Sequence, residues 1–200
     1  MNTHRRLVRL AAACCGILHL GAAAPPDAPT HDRRDLIRQL KDRASAGPEH
    51  NILQPLAGEW RVRGAFRLAP SANPETFLAS ASHRWTLSGR FLRQEFHATG
   101  DLGPYEAIGF LGYDRVRKRV VGSWCESANT GIAQIDGTYN AGTRTFHFKQ
   151  TQTNLQSGQR ETLRALLTVH DANRHSYAIY ATNPDRGGEV EMFRADYTRK

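Results

Sequence analysis

Gly58-Glu59-Trp60-Arg61-Val62-Arg63-Gly64-Ala65-Phe66 sets Trp60, Val62, Gly64 and Phe66 on one side of an alternation and Glu59, Arg61 and Arg63 on the other. Successive side chains of a strand point to opposite faces, so this stretch reads as a strand with one apolar and one charged face. Nine more runs follow as far as Thr198, parted by Gly, Asn and Asp turns: Thr76 to Leu87, Phe91 to Thr99, Tyr105 to Tyr113, Val120 to Ser127, Ile132 to Tyr139, Thr143 to Gln150, Glu161 to Val169, His175 to Ala181 and Glu189 to Thr198. Most connections are short, so the simplest order is an up-and-down meander. An open sheet of ten strands leaves two bare edges, and pairing the first strand with the last removes them. The fold expected is therefore all-β: an antiparallel up-and-down barrel of about ten strands, whose interior can hold a small molecule.

Upstream of the first strand, Leu53 and Leu56 bring the chain in, and Gly47-Pro48 stops a short helix expected over Asp35 to Ala44. Leu36, Ile37 and Leu40 form one stripe of that helix, placing it to lid one end of the barrel. Pro25, Pro26 and Pro29 mark a linker before it. Met1 to Ala24 has the layout of a secretory signal peptide, with Arg5, Arg6 and Arg9 ahead of an apolar, alanine-rich run. That run is short for a membrane span, which needs about 20 residues. The organisation expected is a signal peptide over 1–24, linker and helix over 25–48 and a barrel domain over 49–200, in an exported chain, periplasmic or secreted, with no integral membrane span once processed.

The net charge of +8 falls by three, to +5, when Arg5, Arg6 and Arg9 are removed. Arg61, Arg63 and Arg67 share the outward face of the first strand, as a solvated strand face or a weak anion-attracting patch. No helix-turn-helix, zinc-finger spacing or basic-aromatic motif points to nucleic acid. Processing leaves Cys125 as the one cysteine, without a disulfide partner, and its apolar surroundings Val120-Val121-Gly122-Ser123-Trp124 suggest a small buried hydrophobe on a strand covered on both faces. His83, His97, His147, His170 and His175 lack zinc-ligand spacing. His170 and His175 flank one hairpin and read as surface turn histidines, with an iron ligand the rarer alternative. No nucleophile elbow, phosphate loop or Cys-x-x-Cys is present, so no catalytic residue, metal site or cofactor is assigned.

Several segments together resemble a known family: Leu56-Ala57-Gly58-Glu59-Trp60, Leu87-Ser88-Gly89-Arg90-Phe91-Leu92, Gly109-Phe110-Leu111-Gly112-Tyr113-Asp114, Gly122-Ser123-Trp124, Thr130-Gly131, Gly137-Thr138-Tyr139 and Tyr197-Thr198-Arg199-Lys200. Their order and spacing are similar to those of a bacterial domain family of unknown function with a lipocalin-like, or calycin-type, barrel, over about Glu49 to Lys200. The resemblance implies the fold and leaves the activity open. It implies polar site positions at Glu126, beside Ser127, at Asp136 before Gly-Thr-Tyr, and at Glu95, with Arg160 as a possible counter-ion. Where relatives often carry a further acid this chain has Ala178, which weakens any shared acidic or metal site. Such barrels often close their floor with a tryptophan under a basic side chain, implying Trp60 with Arg199 or Arg194.

The ligand-binding residues expected are thus Glu95, Phe96, Trp124, Glu126, Asp136 and Arg160, with Phe96 and Trp124 for apolar or stacking contact and the acids for a polar group. Strand register decides which of these face inward, and a slip of one residue exchanges lining for outer wall. In the sixth strand both Ile132, Gln134, Asp136 and Ala133, Ile135, Tyr139 are plausible interiors. The leading expectation is an exported barrel binding a small, partly apolar molecule. The alternatives are a small-molecule isomerase, cyclase or hydrolase using Glu126 or Asp136 as acid or base, and an envelope interaction module using its arginine face.

Overall fold

The strands expected from alternation are present and closed into one barrel in the structure, a computed structural model that describes residues 32–100, 103–155, 157–182 and 187–200. The segment read as a signal peptide lies outside the described residues. The chain divides into two compact units, 1–38 and 39–200. Residues 32–38 of the first are described and open helix α1 (Arg33–Ala44). The second holds the rest of α1, a 3-10 segment (Pro48–Leu56) and ten strands: β1 (Gly58–Phe66), β2 (Glu75–Thr86), β3 (Phe91–Gly100), β4 (Gly103–Asp114), β5 (Arg119–Glu126), β6 (Ala133–Asn140), β7 (Thr145–Thr153), β8 (Arg160–Asp171), β9 (Arg174–Thr182) and β10 (Glu189–Arg199).

Each strand pairs antiparallel with its sequence neighbours, and β1 pairs with β10, Trp60 opposite Arg199 and Val62 opposite Tyr197. The ends differ from the expected runs by one to three residues, the largest difference being the end of β7 at Thr153 rather than Gln150. β7 begins at Thr145 rather than Thr143 because the Asn140 Oδ1 accepts from the N–H groups of Gly142 and Thr143, fixing those residues in a turn. The β2–β3 hairpin turns at Leu87 and Ser88, both at positive φ, one residue earlier than the sequence suggests.

Following the pairing from Trp60 around the barrel sets the inner face: His83 and Trp85 on β2, Leu92, Gln94 and Phe96 on β3, Leu111 on β4, Val120, Trp124 and Glu126 on β5, Ile135 and Tyr139 on β6. On β7 to β10 it continues through Phe146, Phe148, Gln150, Leu167, His175, Tyr177, Phe193 and Tyr197. The ambiguity in β6 resolves to Ala133, Ile135 and Tyr139 inside. Cys125, between inward Trp124 and Glu126, is exposed rather than buried, and β5 is not covered on its outer side.

One end of the barrel is plugged. Leu53 and Leu56 of the 3-10 segment are fully buried with Leu92, Leu111, Val120, Phe146 and Val169. Burying side chains of this size stabilises by roughly 1.5–3 kcal/mol each. The helix expected as the lid buries no residue, and Leu36, Ile37 and Leu40 are exposed. The 3-10 segment, which the sequence shows only as Leu53 and Leu56 on the approach, closes the end instead.

Candidate functional site: the barrel lumen

Trp60 forms the inner boundary of the floor. Its ring is fully buried, its Nε1–H donates to the Leu56 carbonyl at 3.0 Å, and the Arg199 guanidinium lies 4.2 Å from its centroid. Arg199 also donates to the carbonyls of Ala57 and Pro55, tying β10 to the 3-10 segment. Gly58 makes this possible: its φ of +141° suits glycine, and a Cβ there would stand 2.1 Å from Arg199 Nη1. Of the two basic side chains considered for the plug, Arg199 fills the place, while Arg194 points outward and pairs with Asp196.

Beside Trp60 stand His83, His175 and Tyr197. His83 Nδ1 donates to the same Leu56 carbonyl at 3.0 Å, and the His175 ring stacks on Tyr197 with centroids 4.2 Å apart. Burial pushes His83 down to about 4 despite its carbonyl partner. It pushes His175 down to about 2, helped by the neighbouring charges of His83, Arg199 and His170. Both are neutral imidazoles at pH 7. The Nδ1 of His175 is buried without a hydrogen-bond partner among the described residues. His170, read with His175 as a turn histidine, is exposed on the opposite face and bonds Ser176 Oγ at 2.9 Å, so the two do not converge.

Between this floor and the far rim lies a cavity of about 120 Å³. Phe96, Leu111, Trp124, Ile135, Phe148, Leu167, Ile179 and Phe193 supply an apolar wall, and Gln94, Tyr105, Glu126, Gln150 and Tyr177 the polar points. Trp124 lies across the wall because its pairing partner is Gly109, where a Cβ would come 2.4 Å from the indole. Tyr105 Oη donates to Glu126 Oε2 at 2.5 Å and Trp124 Nε1 donates to the same oxygen at 3.2 Å. Burial, then the charge of Glu126, hold the Tyr105 phenol far above its ordinary range, so it stays a donor. On the opposite wall Tyr177 Oη donates to Gln150 Oε1 at 2.8 Å, Gln150 Nε2 to Gln152 Oε1 at 2.9 Å, and Gln152 Nε2 to Glu161 Oε1 at 3.0 Å.

Of the six residues expected to bind a ligand, the lumen brings together Phe96, Trp124 and Glu126; the Phe96 and Trp124 rings meet edge to face at 6.4 Å. The other three lie on the outer wall, so the four-membered polar network considered from sequence does not form. Glu95 pairs with Arg93 at 2.5 Å. Asp136 accepts from Arg117 at 2.5 Å and from Arg119 Nε at 2.8 Å; partial burial raises its carboxyl, but these hydrogen bonds outweigh that and hold it below the usual range. Arg160 is exposed and donates to Gln134 Oε1 at 3.1 Å. The reason is register: in β3 and β6 the acid occupies the phase opposite the apolar lining. His83, Gln94, Tyr105, Gln150, His175, Tyr177 and Tyr197 are lumen residues that sequence reasoning did not single out. His83 and Gln94 share phase with Trp85 and Phe96, and that shared phase was the available signal.

The geometry defines a class: a closed ten-stranded antiparallel barrel, plugged at one end, with a small lumen of mixed polarity. The chain belongs to the DUF1579 family of proteins of unknown function, which matches residues 45–199. Among solved structures it is similar to the crystal structure of Rv2717c from M. tuberculosis, with a TM-score of 0.60 and 17% identity over 78% of this chain and 99% of that one. It is also similar to the S-type phycobiliprotein lyase CPES from Guillardia theta, with a TM-score of 0.48 and 11% identity over 80% of this chain and 96% of the other. At these identities the likeness concerns the fold alone. A comparison with curated proteins finds no match.

Proposed function

We propose that this chain is an exported binding protein for a small, partly apolar molecule held in the barrel lumen. The observation that carries the reading is the cavity of about 120 Å³, walled by aromatic and aliphatic side chains with a few fixed polar groups. That is the composition of ligand pockets in general, and the space approaches that of an engineered 150 Å³ cavity which accepts benzene in another protein. Phe96 and Trp124 supply the apolar contact and Glu126 orients the polar end. Export follows from the charged and apolar layout of residues 1–24.

Native mass spectrometry of the protein after incubation with a metabolite extract tests the binding. A retained compound of roughly ring size is expected, and Ile135→Phe, which fills the lumen, releases it. A chain that retains nothing and gives no NMR shifts with small apolar probes refutes the reading. The catalytic alternative narrows to Glu126, because Asp136 is engaged by two arginines on the outer wall.

A further inference from the structure

Inside the barrel the charge balance of this chain reverses. The sequence holds 27 Lys and Arg against 19 Asp and Glu, yet the described residues that line the cavity include no lysine or arginine and one acid, Glu126. Strand arginines such as Arg93, Arg119 and Arg164 project outward and pair with Glu95, Asp136 and Glu189. Arg199 turns inward but is held against Trp60 at the floor by two backbone carbonyls. His83 and His175 border the cavity as neutral imidazoles at pH 7. Among the described residues the lumen therefore offers acceptors and negative charge, with no free cation to balance them.

Glu126 is arranged to use one oxygen internally and leave the other. An indole N–H can only donate, and the Tyr105 phenol is a permanent donor, so Oε2 is satisfied by both. Oε1 has no partner among the described residues. Glu126 lines the cavity, and a carboxylate oxygen that is still open pairs most strongly with a donor carrying positive charge. Phe96 meets Tyr105 and Trp124 edge to face, with centroids 6.0 Å and 6.4 Å apart, and all three rings line the same cavity as Glu126; aromatic rings attract a cation.

Resting on the binding function proposed above, we infer that the guest carries a protonated nitrogen on a ring-sized apolar body, and that Glu126 Oε1 receives that nitrogen within the Phe96, Tyr105 and Trp124 rings. A carboxylate guest meets Glu126 with no counter-charge among the described lining residues, and a neutral alcohol forgoes the charge pairing.

Calorimetric titration at pH 7 with benzylamine, benzyl alcohol and benzoate separates these cases. Benzylamine binds about tenfold more tightly than benzyl alcohol, the difference between a charge-assisted and a neutral hydrogen bond, and benzoate does not bind. Glu126→Gln brings the amine-to-alcohol ratio to about one, whereas Glu95→Gln on the outer wall keeps the wild-type ratio. Benzyl alcohol binding with benzylamine no tighter, or a ratio that survives Glu126→Gln, overturns the inference while leaving the binding function standing. Failure of both amine and alcohol to bind overturns the two together. Should Glu126→Gln not fold, the wild-type ratio alone decides.

Discussion

The floor and the lumen are built from the same strands and obey opposite rules. At the floor, Val120 of β5 and Phe146 of β7 are fully buried against Leu53 and Leu56, and the polar atoms that enter, Trp60 Nε1 and His83 Nδ1, share one backbone carbonyl. A few residues further along the same strands, Trp124 and Glu126 of β5 and Gln150 of β7 line open space. Small inward residues, Ala81, Ala107, Ala133 and Ala195, help keep that space clear. The floor holds the barrel shut by packing, and the lumen trades packing for fixed polar groups.

The sharpest test of this contrast is Trp60→Ala. It removes the largest fully buried side chain and leaves Arg199 without the ring it covers. Truncating a buried tryptophan costs about 3–5 kcal/mol, so urea denaturation of the variant shows a lower midpoint by that equivalent. A loss below 1 kcal/mol means that the floor does not hold the barrel shut.

Acid attacks the boundary between the two regions. The folded values of His83 and His175, about 4 and about 2, lie below the ordinary 6.5. In that window the unfolded chain binds protons the barrel does not, so stability is greatest above pH 6.5 and falls as pH drops. Each histidine contributes a slope of about 1.4 kcal/mol per pH unit. The slope of His83 ends near pH 4, whereas that of His175 continues further. Denaturation midpoints between pH 7 and 5 should follow this course, and His175→Phe should halve the slope. An unchanged slope in that variant assigns the acid sensitivity elsewhere.

Enlarging side chains separates the regions directly. Val120→Phe adds volume where there is none and costs about 1–3 kcal/mol. Ile135→Phe points into the cavity, changes stability by less than about 1 kcal/mol, and abolishes benzyl alcohol binding. Equal losses from the two substitutions would mean that the lumen is as tightly packed as the floor.

This division between regions was only partly legible in the sequence. Alternation along Trp60, Val62, Ala79, Ala81 and Phe96 reports the strands because burial on one face imposes a period of two, and the edge argument supplies closure. The motifs around Trp60 and Trp124 mark both rings, and Gly58 and Gly109 are the spaces those rings and Arg199 require. What alternation cannot do is rank two faces that are both mixed. Glu95 and Glu126 look alike in sequence, and only the hydrogen-bond register, carried from β1 through four strands, separates outer wall from lumen. The 3-10 plug is faint in sequence because its buried face, His50, Leu53 and Leu56 at a spacing of three, carries only two apolar residues, whereas the preceding helix shows the clearer stripe without burying it.

The smallest effect comes from the outer wall, and it completes the contrast. Asp136 holds Arg117 and Arg119, but its side chain is 33% exposed and Arg117 more so, leaving water and salt to screen both pairs. Exposed ion pairs contribute about 0–1 kcal/mol. Asp136→Asn should therefore lower stability by no more than about 1 kcal/mol at low salt and by less in molar salt, with the benzylamine affinity unchanged. A loss of amine binding in this variant would mean that outer-wall charge reaches the lumen through β6, and the specificity assigned to Glu126 would then belong to the field of the whole wall.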